Sequence, residues 1–399
     1  MKEKGNAKVL WYILFAVLAV VLCYLFVIVY FFCISPNNIA NKLTIWPYLS
    51  EQTVGEIYED CVVEVDFSVE DEFGNPVSAS SVGVNVREDG VVIAPYAKFR
   101  ALDENAQMSI KTNSGKIYAG QLLYGDENFN LCIIRCKVME GESGNVSIPF
   151  VKLGEISNAN SIIAVSTIGE KQIVSGNIET QDSYCVSALK EEGKFHALDF
   201  LLEDCYILNI EQEDFVNGAV FDSRGHFFGF QYATDGGEYL IQPAEYADLF
   251  LEQVLKSEEK GETYSNSLVE SFHGVDLLEI TAHKQISEMP QENGLCGNET
   301  NFFFEGEWIE YDEAINKYAS VEEQVGFYLI HDFVYGQDGI SAKNVITNIS
   351  VGNLDLTITS KLDLFMMLYL LESGDEVTFA FQSMEAVYPI PQSLEIVIA

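Results

Sequence analysis

Basic side chains are scarce in this chain, which has 22 Lys and Arg against 61 Asp and Glu among its 399 residues and a formal net charge of −39 at pH 7. Nucleic-acid binding needs a dense array of Lys and Arg against the phosphates, so the composition argues against that class of function. An anionic membrane surface repels so acidic a body as well. The same charge allows cationic partners or weakly held divalent ions.

Proline is also scarce, with 9 residues, while 48% of the chain is hydrophobic and 12% is aromatic. A chain of this composition can bury real cores, so it is not a disordered acidic tail. Its length predicts two to three domains of about 100–200 residues each.

Histidine is rarer still: the chain has 5, and none precedes residue 196.

Beyond the N-terminal segment the cysteines show no Cys-x-x-Cys pair and no regular spacing; they are Cys61, Cys132, Cys136, Cys185, Cys205 and Cys296. This pattern predicts neither a zinc site nor a disulfide framework, and we expect small buried hydrophobic residues instead. The sequence therefore predicts no metal and no cofactor.

The N-terminal segment is uncharged over residues 9–34, which is long enough to span a bilayer at 1.5 Å per residue. Lys2, Lys4 and Lys8 precede it, and the next basic residue is Lys42. By the positive-inside rule this predicts a single-pass signal anchor in the cell membrane, with residues 1–8 cytoplasmic and residues 35–399 extracytoplasmic.

The rest of the chain divides by pattern into two units. Short strands separated by turn residues fill residues 55–240, and a helical period follows over residues 243–256. A polar stretch at 257–267 is typical of a linker. The second unit, residues 268–399, is interrupted at 285–323 by an acidic, aromatic insertion. The expected fold class is mainly β.

Five phrases in the first unit resemble a known family. They are residues 81–97 (SVGVNVREDGVVIAPYA), the block at 109–136 with its D-x-x-x-N in place of D-x-x-x-D, residues 149–154 followed by 162–169, residues 217–230 (NGAVFDSRGHFFGF), and residues 240–255. In order and spacing they resemble the trypsin-like proteases of the HtrA/Deg family. The resemblance implies a double β-barrel of the chymotrypsin fold over residues 50–256. The second unit is similar to the α+β PDZ domain that usually follows in this family.

The triad positions of that family are replaced in this chain. The His, Asp and Ser positions carry Ala97, Asn130 and Val216, and no imidazole is available in the first barrel. The loop that would form the oxyanion hole is altered too, at Asp214, Phe215, Asn217 and Gly218. A trypsin-type mechanism needs all three triad groups and the backbone donors, so we expect no catalytic residues and no turnover.

The peptide groove of a PDZ domain depends on the fold more than on particular side chains, so it can survive the loss of catalysis. The resemblance implies that peptide or protein C-termini bind here, at Phe272, His273, Gly274, Val275, Leu364, Met367 and Leu368. Family members are often trimers, which makes a homo-oligomer an open expectation.

The function expected from these features is that of an HtrA-like pseudoprotease, a binding or sensing module of the cell envelope with a role in protein quality control. Two alternatives stay open. One is an active endopeptidase with a non-standard site, for which Cys205 and His196 are the available pair. The other is an envelope scaffold that assembles through the insertion at 285–323.

Overall fold

The computed structural model describes residues 15–26, 37–40, 43, 49–70, 76–96, 99, 107–126, 128–154, 161–166, 172–188, 198–210, 218–233, 239–272, 277–280, 301–304, 307–310, 326–329, 332–341, 344–352, 354–358, 361–371, 373–383 and 391–398. These residues are mainly in β-strands, which confirms the coarse fold class.

The N-terminal helix, α1, is described over residues 15–26. Among the described residues no helix is both long and apolar enough to cross a membrane. This finding contradicts the transmembrane helix that opened the predicted fold class. The remaining positions of the predicted span, 9–14 and 27–34, lie outside the described residues.

A short N-terminal strap (residues 37–40 and 43) follows and lies against the body of the protein. Asn38 forms a parallel bridge with Phe150, and the Ile39 amide donates to the Phe150 carbonyl at 3.0 Å. Ile39 and Leu43 are buried in the main hydrophobic cluster. The strap is thus held by both backbone pairing and apolar contact.

The first β unit is a closed six-stranded barrel that begins after helix α2 (Glu51–Tyr58). Its strands are β1 (Val62–Glu70), β2 (Pro76–Arg87), β3 (Val91–Pro95), β4 (Gln107–Thr112), β5 (Ile117–Asp126) and β6 (Leu131–Lys137), in the order β1-β2-β3-β6-β5-β4. Successive residues of a strand point to opposite faces. In β1, Val63 joins the cluster inside the barrel and Val62 joins the larger cluster outside it, so both faces of the strand are buried.

The second β unit is a seven-stranded sheet whose path closes on itself. Its strands are β7 (Lys152–Leu153), β8 (Ser161–Ser166), β9 (Gln172–Ala188), β10 (Leu198–Ile210), β11 (Ala219–Phe221), β12 (His226–Ala233) and β13 (Tyr239–Pro243). The order is β11-β8-β9-β10-β13-β12-β7, and a further pairing of β11 with β12 completes a ring of six strands. The short β7 pairs with β12 outside that ring.

Helix α3 (Asp248–Lys260) closes this unit and packs Phe250, Leu251, Val254 and Leu255 into the main cluster. It ends at Gly261, whose left-handed φ of 75° suits glycine. The Arg135 guanidinium of β6 holds Glu258 of this helix through Nε at 3.0 Å and Nη2 at 2.5 Å. The helix thus ends four residues beyond its predicted end at residue 256. The Arg135–Glu258 ion pair bonds it to the first barrel.

The C-terminal unit follows a single turn of helix, α4 (Ser267–Glu270). Its sheet has the order β14-β17-β20-β22-β23, with β21 paired to β20. The strands are β14 (Leu277–Ile280), β17 (Gly326–Leu329), β20 (Asn344–Val351), β21 (Leu354–Thr357), β22 (Glu376–Ser383) and β23 (Pro391–Val397), and helix α5 (Lys361–Leu370) precedes β22. Two separate hairpins are β15 (Asn301–Phe304) with β16 (Glu307–Glu310), and β18 (Phe333–Tyr335) with β19 (Asp338–Ile340).

Candidate functional site

The resemblance to a protease directs attention to the three triad positions. Asn130 is described, whereas Ala97 and Val216 lie outside the described residues. Of the expected oxyanion loop only Gly218 is described, and Asp214, Phe215 and Asn217 are not. The geometry of this region is therefore read from Asn130 and its neighbours.

Asn130 lies in the turn between β5 and β6 and has a left-handed φ of 49°. Asn tolerates this conformation better than most residues with a Cβ. Its side chain is buried, and Nδ2 donates to Oε1 of Gln242 in β13 at 3.2 Å. Gln242 in turn donates through Nε2 to the carbonyl oxygen of Phe129. The Gln242 side chain thus accepts from Asn130 and donates to Phe129. We call these two bonds, which join the first barrel to the second sheet, the clamp.

Asp126 begins the same turn and is fully buried. Its Oδ1 accepts from the Phe129 amide at 2.7 Å, and its Oδ2 accepts from the hydroxyl of Tyr369 in α5. The Tyr124 hydroxyl lies 3.2 Å from the Tyr369 hydroxyl and donates to it, since the Tyr369 proton is already committed to Asp126. Asp126 therefore links the first barrel to the C-terminal unit.

Burial sets the protonation state of these tyrosines. Desolvation, followed by the charge of Asp126, raises the pKa of Tyr369 and of Tyr124 well above the ordinary value. Burial likewise raises the pKa of Tyr264, which packs edge-on against Tyr124 at 5.0 Å, to about 12. All three remain protonated and act as hydrogen-bond donors across the physiological pH range.

Aromatic contacts reinforce the same turn. The Phe129 ring stacks on Tyr246 with centroids 4.4 Å apart and meets the ring of Phe365 in α5 edge-on at 5.2 Å. Asp126, Phe129 and Asn130 therefore contact all three units: their own barrel, the second sheet through Gln242, and the C-terminal unit through Tyr369 and Phe365. We call them the junction turn. Asn130, which the resemblance aligns with a catalytic carboxylate, is part of this structural contact.

The predicted groove residues fall into two groups. Phe272, Leu364, Met367 and Leu368 are buried, whereas His273, Gly274 and Val275 lie outside the described residues. Phe272 stacks on Phe333 with centroids 4.3 Å apart, which places it in the core of the C-terminal unit. Among the side chains of α5 that the structure describes, the exposed apolar ones are Met366 and Leu370, at 39% and 67% exposure.

One histidine–carboxylate pair is present among the described residues. Nδ1 of His226 lies 2.8 Å from Oδ2 of Asp222, whose Oδ1 accepts from the amides of Arg224 and His226 in the turn before β12. The Tyr58 hydroxyl donates to the Asp222 carbonyl and accepts from the Gly225 amide at 2.9 Å. These bonds shape the turn, and the pair has the character of a turn-stabilising contact.

Gly225 is required within that turn for two reasons. Its φ is 104°, and a Cβ at this position would lie 2.6 Å from the Cα of Ala40 in the N-terminal strap. The sequence analysis did not predict the His226–Asp222 pair or the approach of Gly225 to Ala40, although the D-x-x-G-H spacing of residues 222–226 is a turn signal.

Two other chemical possibilities were considered in the sequence. Cys205 lies in β10, and its proposed partner His196 lies outside the described residues. Within the described part of the chain no cluster of three or more His, Cys, Asp or Glu side chains is arranged to hold a metal ion. Burial raises the pKa of the Cys136 thiol to about 12 and that of Cys132 above the ordinary value, so both are unreactive thiols.

Comparison with known proteins adds no family. No protein-family model matches the chain, and no curated protein matches it. The HtrA-like assignment stays a prediction that depends on the sequence phrases alone.

Proposed function

We propose that this protein is a non-catalytic member of the trypsin-like, HtrA/Deg type that acts as a binding or sensing module for peptides or proteins. The observation that carries this proposal is the hydrogen bonding of Asn130. Its side-chain amide is buried and bonded to Gln242, so this position has no carboxylate that could orient an imidazole. The first barrel supplies no imidazole either, because every histidine lies at residue 196 or later.

Binding is assigned to the C-terminal unit. Strand β14 stands at the end of the sheet order, where an extended peptide can add as a further strand. Residues 272–275 precede this strand, and the resemblance implies that they would receive the peptide carboxylate on backbone N–H groups. Because Leu364, Met367 and Leu368 are buried, the proposal uses Met366 and Leu370 as the apolar contacts that α5 offers to a ligand.

A turnover assay tests the catalytic half of this proposal. The full chain is incubated with an unfolded protein substrate, with and without added C-terminal peptides, and new N-termini are counted. We expect none above buffer in either condition. Turnover that copurifies with the protein would overturn the proposal and support a non-standard endopeptidase. Its loss in Cys205→Ala would assign it to the Cys205–His196 pair, and its survival would assign it to another site.

A peptide-binding assay tests the other half. Fluorescent apolar peptides are titrated with the full chain, each as a free carboxylate and as a C-terminal amide. We expect the amide to bind at least about tenfold more weakly, since it cannot form the charge-assisted bonds to backbone N–H groups. Met366→Lys should weaken binding, and Leu354→Lys, at a 64% exposed position on β21, is the matched control. Equal binding of both peptide forms would contradict carboxylate capture.

A further inference from the structure

Strands β9 and β10 pair with each other over a longer distance than with any neighbour. Their register runs from Gly176 opposite Ile210 to Ala188 opposite Leu198. Strand β8 pairs with β9 only over residues 172–177, and β13 pairs with β10 only over residues 206–208. Residues 182–188 and 198–205 thus form a two-stranded ribbon that pairs with no third strand among those described. We call it the ribbon arm, and at about 3.3 Å per residue it projects roughly 23 Å.

An isolated two-stranded ribbon is at best marginally stable in water, because it has one layer and two open edges. Each edge presents a row of N–H and C=O groups to which another strand can add. Edges that must stay unpaired commonly carry Lys or Pro, and the ribbon arm contains no Lys, Arg or Pro. Its sequence does not protect it from pairing.

The register also shows which residues of the ribbon arm share a face. Tyr184 is opposite Leu202, and Val186 is opposite Phe200. Residues two apart lie on the same face of a strand, so these pairs and the Ala188–Leu198 pair belong to one face. The positions of that face from 184 to 188 and from 198 to 202 all carry apolar residues, and Asp182 follows them on β9. The opposite face includes the Ser187–Asp199 pair.

The charge of the ribbon arm indicates which kind of partner it can bind. The charged residues of the arm are all acidic: Asp182, Asp199, Glu203 and Asp204. A second copy of the chain would bring the same acids to the same edge, and its net charge of −39 opposes self-association. We propose that the ribbon arm is a docking surface for an extended segment of a basic partner, which adds to it as a further strand. The segment alternates apolar residues, which extend the apolar face, with Lys or Arg, which lie near the acids.

A short peptide that alternates Val and Lys is the probe. Its binding to the full chain is followed by fluorescence anisotropy, and we expect saturable binding that weakens with added salt, since exposed charge pairs are screened. The double variant Asp199→Lys with Glu203→Lys should weaken binding by more than about tenfold. Glu140→Lys with Glu142→Lys makes the same charge change in an exposed loop and should leave binding within about twofold. Equal losses in the two variants would overturn the proposal, because net charge alone would then explain the binding.

Backbone pairing is tested on the unmodified protein, so the result does not depend on how well a variant folds. Alternate residues of a strand direct their N–H groups to opposite sides. Peptides N-methylated at one alternating set should lose binding, and peptides methylated at the other set should keep it. Equal effects of both sets would exclude strand addition. A concentration-dependent dimer in sedimentation, lost in the Asp199→Lys and Glu203→Lys variant, would show that a second copy occupies the arm and would also overturn the proposal.

Discussion

The hydroxyl of Tyr369 donates to the buried carboxylate of Asp126, although the two residues are 243 positions apart in the sequence. The bond joins helix α5 of the C-terminal unit to the junction turn of the first barrel. The Gln253 side chain adds a second link, because its Nε2 donates to the Tyr369 carbonyl at 2.6 Å. A ligand on α5 would therefore bind an element that the barrel holds directly.

Removal of the Tyr369 hydroxyl tests how much this link contributes. In Tyr369→Phe the buried carboxylate of Asp126 loses a donor, and we expect the free energy of unfolding in urea to fall by about 1–3 kcal/mol. Tyr335→Phe is the control, since its hydroxyl bonds Ser267 at the surface at 3.0 Å, and the expected change is below about 0.5 kcal/mol. Equal losses for the two variants would contradict the role of the buried link.

An acid introduced at position 130 should weaken the protein without creating activity. Asn130→Asp removes the donor to Gln242 and buries a carboxyl, at an expected cost of about 1–3 kcal/mol at pH 7. Burial raises the pKa of such a carboxyl, so the variant is closest to wild type below about pH 4 and loses stability as pH rises. Urea titrations from pH 4 to 8 measure this trend. Asn145→Asp, in an exposed loop, should show no such slope.

Close packing at Gly229 predicts a severe steric effect. A Cβ there would lie 1.9 Å from the backbone carbonyl oxygen of Gln242, which cannot move without breaking the clamp to Asn130. We expect Gly229→Ala to cost more than about 3 kcal/mol or to prevent folding. Gly141→Ala has a positive φ of 89° but nothing within 4 Å, and should cost only about 1–2 kcal/mol. Thermal unfolding separates the two, and similar melting losses would argue against the clash.

Asp89 predicts a dependence of stability on acid pH. Burial raises its pKa, but the opposing effect of Arg135, at 2.9 Å, and of Arg87 is larger and holds the pKa below its ordinary value. The stabilisation by Asp89 is thus present above the unfolded pKa of about 4 and is lost as pH falls below it. We expect Asp89→Asn to be less stable than wild type at pH 6 and to approach it near pH 2. A constant difference in urea midpoint across this range would contradict the assignment.

The strands of the two β units were largely predictable from the sequence, because alternating apolar residues and turn residues act locally. The junction turn was not. The sequence singled out Asn130 only through its expected alignment with a triad position, since its partner Gln242 is brought to it by the meeting of two sheets. Tyr369 had no signal at all within the run LDLFMMLYLL. That helix is apolar on every side, so its period cannot tell which face meets the barrel and which is exposed.

The transmembrane helix of the predicted fold class is the other correction. The uncharged run over residues 9–34 has the length of a span, but no helix among the described residues is long and apolar enough to cross a membrane.

The N-terminal strap has a practical consequence for fragments of this protein. Ile39 and Leu43 are 0% and 6% exposed, and the Asn38 bridge supports the segment that enters the second β unit at Phe150. A fragment cut just before helix α2 would expose to water the apolar surface that Ile39 and Leu43 cover, and it would remove the backbone partner of Phe150. Domain boundaries drawn for expression, crystallisation or proteolytic mapping therefore belong upstream of residue 37.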